Sequence, residues 1–309
     1  MHPDTREPSL TRRSVLQLMA AAVAGAGGAG AAPSIVERRI PSSGETIPAI
    51  GLGTWRTFDV GGGAAERGPL RDVLQRFADL GGRVIDSSPM YGAAESVVGD
   101  LAAELGVGDR LFLATKVWTS GRQAGITQMA ESLRRLRARR LDLIQIHNLL
   151  DWRTHLRTLR DDKQAGRIRY LGVTHYTAGA YDELERVLRG EALDFAQVNY
   201  SLGEREAERR ILPVAHERGI AVIVNRPFSE GRLVRRMSGQ PLPEWAAEIG
   251  CESWAQIFLK WILAHPAVTC VIPATSRPQH LIDNMKAGLG TLPGEAMRQR
   301  IAAVVARVP

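Results

Sequence analysis

Lysine is nearly missing from this chain. It occurs only at positions 116, 163, 260 and 286, while arginine supplies the remaining basic residues. Arginine keeps its proton in any protein setting, whereas lysine tunes its charge to its surroundings. A lysine inside the apolar run LFLATKVW therefore marks Lys116 as a position that needs an amine. Cysteine is scarce too. Cys251 and Cys270 form neither a metal-ligand spacing nor a disulfide framework, and read as buried fillers. The histidines also lack ligand spacing, so no metal is expected. No apolar run is long enough to cross a membrane. No basic stretch is interleaved with aromatics, which make up 6% of the chain, and the net charge of +7 is spread over alternating-sign segments. That pattern describes solvated faces and excludes a nucleic-acid surface. What is present, 44% apolar and 24% charged residues in a chain of 309, suits a globular protein of one large or two small domains.

The first 32 residues have a different character. TRRSVLQLMAAAVAGAGGAGAA combines a basic start, an Ala/Gly-rich weakly apolar stretch and a small-residue end. This is the layout of a secretory signal. Arg12-Arg13 followed by Ser14, Val15 and Leu16 resembles the twin-arginine export signal of bacteria. Residues 1–32 are thus expected to be a signal peptide that meets the export machinery, cut near Ala31 or Ala32. Delivery to the periplasm of a protein already folded around its cofactor is the expectation.

From residue 33 onward the pattern is regular. VERRIPSSGETIP reads as a β-hairpin about Ser42-Ser43-Gly44. Eight apolar strands follow, near 49–54, 83–86, 111–116, 142–147, 168–173, 194–198, 220–225 and 268–273, each trailed by helical sequence, with a longer helical region over 243–264 before the last. Their Val/Ile/Leu runs lack the alternation of half-exposed strands, so they are expected to be parallel and buried on both faces. The reading is α/β: a (β/α)8 TIM barrel with an N-terminal β-hairpin, a single domain over 33–309, expected to be monomeric. An open doubly wound sheet would need a phosphate-binding G-x-G-x-x-G after an early strand, and GLGTW at 51–55 is not one.

In such a barrel the C-terminal strand ends share one mouth. Asp86 closes the second strand, Lys116 the third and His147 the fourth, with Tyr91 on the loop after Asp86. A phenol, whose pKa is about 10, is a poor acid at neutral pH. A nearby ammonium is expected to favour the phenolate, and a carboxylate to keep the lysine charged. The four groups form a relay that can protonate a carbonyl oxygen, with His147 orienting that oxygen. No protein nucleophile is required, so the reductant comes from outside. Trp55 and Trp118, on strand-end loops, are expected to line an apolar substrate pocket.

At these residues the chain resembles the aldo-keto reductase family. The resemblance rests on the four separated positions, on GLGTW at the first strand and on DLIQIHN at the fourth. It implies a (β/α)8 barrel in which Asp86, Tyr91, Lys116 and His147 reduce an aldehyde or ketone with NADPH, NADH being the alternative. It further implies that Gln197, with Thr174 and His175 in place of the usual Ser-Asn, holds the nicotinamide amide. Asn225, Pro227 and Phe228 stand where the family often has Tyr-Ser-Pro. The loop carrying Phe228, Ser229, Gly231 and Leu233 would lie over the pyrophosphate. Thr275, Ser276, Arg277 and Asn284 would meet the adenosine 2′-phosphate and adenine, with Pro278 opening a helix there. Two other classes remain open at this stage. One is a Schiff-base aldolase using Lys116; the other is a non-catalytic nucleotide-binding or partner-binding barrel.

Overall fold

The computed structural model describes residues 34–308; the expected signal peptide lies outside the described residues. Two short strands, β1 (Glu37–Arg39) and β2 (Thr46–Pro48), form the N-terminal hairpin. Eight parallel strands follow: β3 (Leu52–Gly53), β4 (Val84–Asp86), β5 (Phe112–Val117), β6 (Leu141–His147), β7 (Ile168–His175), β8 (Phe195–Asn199), β9 (Ala221–Asn225) and β10 (Val268–Val271). They pair in chain order, and the bridges Ile50 to Val271 and Gly53 to Ala274 close the sheet into a barrel. Closure requires a glycine at 53, because a Cβ there would stand 2.8 Å from the Ile272 carbonyl oxygen.

Each barrel strand leads into helical backbone. In α1 (Ala64–Asp79), Leu70, Val73, Leu74 and Phe77 recur at helical spacing and are buried against the barrel. Three departures from the sequence reading have local causes. The first strand is shorter than 49–54, because its pairing at Ile50 is a single bridge. The helical stretch expected over 243–264 breaks at Gly250, whose φ of +62° suits the left-handed region, and restarts at α8 (Trp254–Leu263). Ser253 caps that restart, its side chain accepting from the Gln256 amide at 3.1 Å. A helix not anticipated, α7 (Arg232–Arg236), occupies the loop after β9.

The barrel interior is sorted along its axis. Side chains alternate in and out along each strand, and the inward positions near the strand starts are apolar: Val84, Phe112, Leu143, Tyr170, Phe195 and Ile223. Ile40 and Ile47 of the hairpin plug this end and belong to the same core. Tyr170 fastens the plug, its hydroxyl meeting Ser43 Oγ at 2.8 Å and donating to Glu45 Oε2 at 2.5 Å. Two or four residues further along the same strands the inward positions become Asp86, Lys116, Gln145, Thr174, Gln197 and Asn225. A second apolar core fills the space between strands and helices.

Candidate active site

Strands β4, β5 and β6 are neighbours in the barrel, so Asp86, Lys116 and His147 arrive at one mouth. Lys116 is fully buried and donates to Asp86 Oδ2 at 2.6 Å and to the Ser87 carbonyl oxygen at 2.7 Å. The other carboxylate oxygen of Asp86 accepts from Gln197 Nε2 at 2.8 Å and Gln145 Nε2 at 3.1 Å. Both oxygens are thereby satisfied, which a buried carboxylate requires. Burial opposes the charge on Lys116, but attraction to Asp86 and to the Tyr91 phenol outweighs it and raises its pKa above the ordinary value. A lysine held charged in this way offers no lone pair for a Schiff base.

Tyr91 sits in the loop after β4, its amide donating to the Ser88 carbonyl at 3.0 Å. Gly92 follows at φ +57°, where a Cβ would run into Asp59 at 2.1 Å, so the tight bend that presents the phenol needs glycine. The Lys116 ammonium lies 5.1 Å from the centre of the Tyr91 ring. The pKa of Tyr91 is nevertheless raised: burial outweighs the pull of Lys116, and Asp86 adds to the rise. This reverses the expectation of a phenol made more acidic by its neighbour. The lysine moderates the cost of losing the proton without making the phenolate the resting form.

His147 is buried, and its pKa is lowered to about 3 by burial and by the nearby Lys116 charge. The imidazole is therefore neutral at physiological pH. Its Nδ1 lies 3.3 Å from Ser88 Oγ. The Tyr91 and Trp118 rings stand 6.1 and 6.4 Å from it, the former edge-on.

Asp86, Tyr91 and His147 form one wall of a cavity of about 480 Å³, with Lys116 buried behind them. Trp55, Met90, Trp118, Tyr176 and Phe228 give it apolar sides, so both tryptophans expected in a substrate pocket line it. Met90, Trp118 and Tyr176 are also three of the five exposed large apolar side chains among the described residues. Such clustering at a concave mouth marks a binding site. Of the residues assigned to the cofactor, Thr174, Gln197, Asn225, Pro227, Phe228 and Gly231 line the cavity.

The others stand elsewhere. His175 lies outside the wall, its ring stacked on Tyr176 at 5.8 Å and its Nδ1 accepting from the Thr177 amide at 3.2 Å. Ser229 and Leu233 are buried behind the β9 loop, with Ser229 Oγ 2.8 Å from Ser201 Oγ. Thr275, Ser276 and Arg277 form the turn into α9 (Pro278–Lys286), where Thr275 Oγ1 accepts from the Arg277 amide at 3.1 Å and Pro278 opens the helix. Arg277 is exposed, and Asn284 is buried on that helix. Sequence reasoning did not single out Gln145, Asn148, Tyr176, Arg226 or Glu230. Gln145 is read only as one polar residue in DLIQIH, and its bond to Asp86 is visible only once β6 is registered beside β5.

Two buried side-chain oxygens in the wall have no partner among the described residues: Asn148 Oδ1 and Asn225 Oδ1. The Asn225 oxygen belongs to a cluster in which Gln197 Oε1 accepts from Asn225 Nδ2 at 3.3 Å and Thr174 Oγ1 at 3.5 Å. A buried acceptor without a donor is costly and invites a ligand N–H.

Fold and site together describe a (β/α)8-barrel enzyme. The sequence profile of the aldo/keto reductase family matches residues 49–304, and the chain belongs to that family. It is 30% identical to the methylglyoxal reductase YeaE of Escherichia coli strain K12, over 80% of this chain and 88% of that one. Among solved structures it is similar to an aldo/keto reductase from Klebsiella pneumoniae in complex with NADP and acetate. That match has a TM-score of 0.71 and 30% identity, over 84% of this chain and 93% of that chain. An aldo-keto reductase from the same organism in complex with NADPH gives a TM-score of 0.72 at 27% identity, over 88% and 96% of the two chains.

Proposed function

We propose that the protein reduces the carbonyl group of a small molecule to an alcohol, with NADPH as the reductant and Tyr91 as the general acid. The observation that carries this reading is the buried Asp86–Lys116 pair beneath a protonated Tyr91 and a neutral His147, all at one apolar cavity. The orphaned Asn225 Oδ1, beside Thr174 and Gln197, suits the N–H of a nicotinamide carboxamide. Arg277, exposed at the start of α9, suits a 2′-phosphate. The relatives bound to NADP and NADPH support the same choice, with NADH as the weaker alternative. Bound there, the nicotinamide supplies the hydride that reduces the carbonyl carbon.

The chain's own residues manage the oxygen. With Ser88 Oγ as the donor across its 3.3 Å contact with His147 Nδ1, the imidazole carries its proton on Nε2. That Nε2–H donates to the carbonyl oxygen and fixes its direction toward the phenol. Tyr91 transfers its proton to the same oxygen as negative charge builds there. Burial keeps the phenol protonated until that moment, and the Lys116 ammonium stabilises the phenolate left behind. Asp86, pinned by Gln145 and Gln197, holds Lys116 in place.

The test is NADPH consumption with a reactive aromatic aldehyde, wild type beside Tyr91→Phe. Turnover is expected to fall about 10²- to 10⁴-fold in the variant while NADPH still binds. Nucleotide binding without turnover in either protein would replace this reading with a non-catalytic nucleotide-binding barrel.

We also infer that the protein is exported through the twin-arginine route to the periplasm, on the strength of Arg12-Arg13 and the small-residue stretch after them. Changing Arg12→Lys together with Arg13→Lys should leave the uncleaved chain in the cytoplasmic fraction. Unchanged periplasmic recovery would remove this inference.

A further inference from the structure

Among the described residues, Arg226 is the one arginine or lysine in the cavity wall. It follows β9 directly, where the loop bends sharply, and its φ is +50°. Ser229 at +48° and Glu230 at +57° continue the strain in the same loop. Long side chains disfavour this region of backbone space, and such strain concentrates where a side chain must be aimed.

The guanidinium is aimed between two aromatic walls of the cavity. Its central carbon lies 4.4 Å from the centre of the Tyr176 ring and 5.6 Å from that of Trp55. Nη2 pairs with Glu230 Oε1 at 3.1 Å, and the arginine side chain is 25% exposed. Of its five N–H donors, those on Nε and Nη1 meet no acceptor among the described residues and stay open to solvent and to a ligand entering the cavity. Rings beside a guanidinium support its charge. A guanidinium grips a carboxylate through two parallel hydrogen bonds. The charge is also felt at the Tyr91 hydroxyl, where it favours the phenolate. Arg226 and Tyr91 line the same cavity of about 480 Å³, so an anion on the one and a carbonyl oxygen at the other can belong to one small molecule.

We propose that Arg226 is the specificity-determining residue of this cavity, and that the carbonyl substrate is an oxo acid whose carboxylate pairs with Arg226 while its carbonyl oxygen meets Tyr91 and His147. The proposal rests on the reductase reading above. Glu230 holds the guanidinium in position and shares it when the substrate carboxylate arrives. The diphosphate of the nucleotide is the other source of an anion near this loop, and the test separates the two.

The test compares 4-carboxybenzaldehyde with 4-nitrobenzaldehyde, both reduced with NADPH by the mature chain, in wild type, Arg226→Gln and Arg226→Lys. Thermal melting of each variant checks folding. For Arg226→Gln, the ratio of kcat/KM for the acid over the neutral aldehyde is expected to fall about 10- to 100-fold, the usual worth of a hydrogen bond to a charged group. Arg226→Lys, which keeps the charge and loses the fork, should fall between the two. Nucleotide affinity should hold in both variants. A turnover-independent arm titrates terephthalate against the fluorescence of Trp55 and Trp118, and Arg226→Gln should weaken that binding by a similar factor.

If wild type binds terephthalate through Arg226 yet reduces neither aldehyde, the reductase reading fails and the anion site stands. An unchanged ratio with unchanged terephthalate binding overturns the proposal. So does a loss of nucleotide affinity that slows both aldehydes alike, which would give Arg226 to the cofactor diphosphate.

Discussion

At the closed end of the barrel, Phe112, Tyr170 and Phe195 pack ring against ring with centres 5.5 to 6.1 Å apart, and the hairpin isoleucines seal them in. At the open end of the same strands sits a buried ion pair, a phenol and an imidazole pushed away from their ordinary pKa values, and two unpartnered amide oxygens. Among the described residues, seven of the eight non-glycine residues with positive φ also lie on loops that leave the barrel strands at that end: Arg56, Asn148, Leu149, Asp151, Arg226, Ser229 and Glu230. One end is assembled from apolar side chains that need nothing beyond close packing. The other holds groups whose presence costs stability and whose arrangement makes sense only for a ligand. The strands carry both, so the floor supplies the rigidity with which the mouth holds its charges.

Substitutions at the two ends should separate along this division. Lys116→Met strikes hardest, because it leaves Asp86 as an uncompensated buried charge. A loss of about 3–5 kcal/mol in urea unfolding is expected, together with a fall in turnover of about 10²- to 10⁴-fold. A variant as stable as wild type would mean that the pair contributes nothing to the mouth's structure. Phe195→Ala at the floor should cost a similar ~3–5 kcal/mol but leave kcat/KM per folded molecule close to wild type. Activity lost in step with stability would show that the two ends are not separable.

A third effect concerns pH. The imidazole of His147 takes up its proton at about 3 in the folded chain and at about 6.5 when unfolded. Between those values the unfolded state binds more protons, so acidification through that window destabilises the fold. His147→Asn should flatten this part of the stability curve. A wild-type slope identical to that of the variant would contradict a neutral, buried imidazole.

The floor and the strand order were legible in the sequence because apolar runs of strand length, spaced by helical pattern, admit few arrangements. The reacting groups were legible for a different reason: Lys116 stands out in a chain that otherwise uses arginine, and Asp86 and His147 fall at equivalent strand ends. What could not be read depended on distances between strands. Gln145 and Gln197 both converge on Asp86, although they lie far apart in sequence and only β6 to β8 pairing brings them together. The direction of the Tyr91 shift turned on how deeply the phenol is buried, which spacing does not reveal. Arg226 carried no signal in the sequence, because only the structure sets it between Trp55 and Tyr176. The break at Gly250 was hidden because the flanking sequence favours helix on both sides.

In the proposed reduction NADPH would supply the hydride to a carbonyl carbon while Tyr91 protonates the oxygen. Reduction of an aldehyde with NADPH carrying two deuteriums at C4, followed by mass spectrometry of the alcohol, tests it most directly. One deuterium at the carbinol carbon is the expected result. An alcohol without deuterium, or NADPH bound and no alcohol formed, would contradict it.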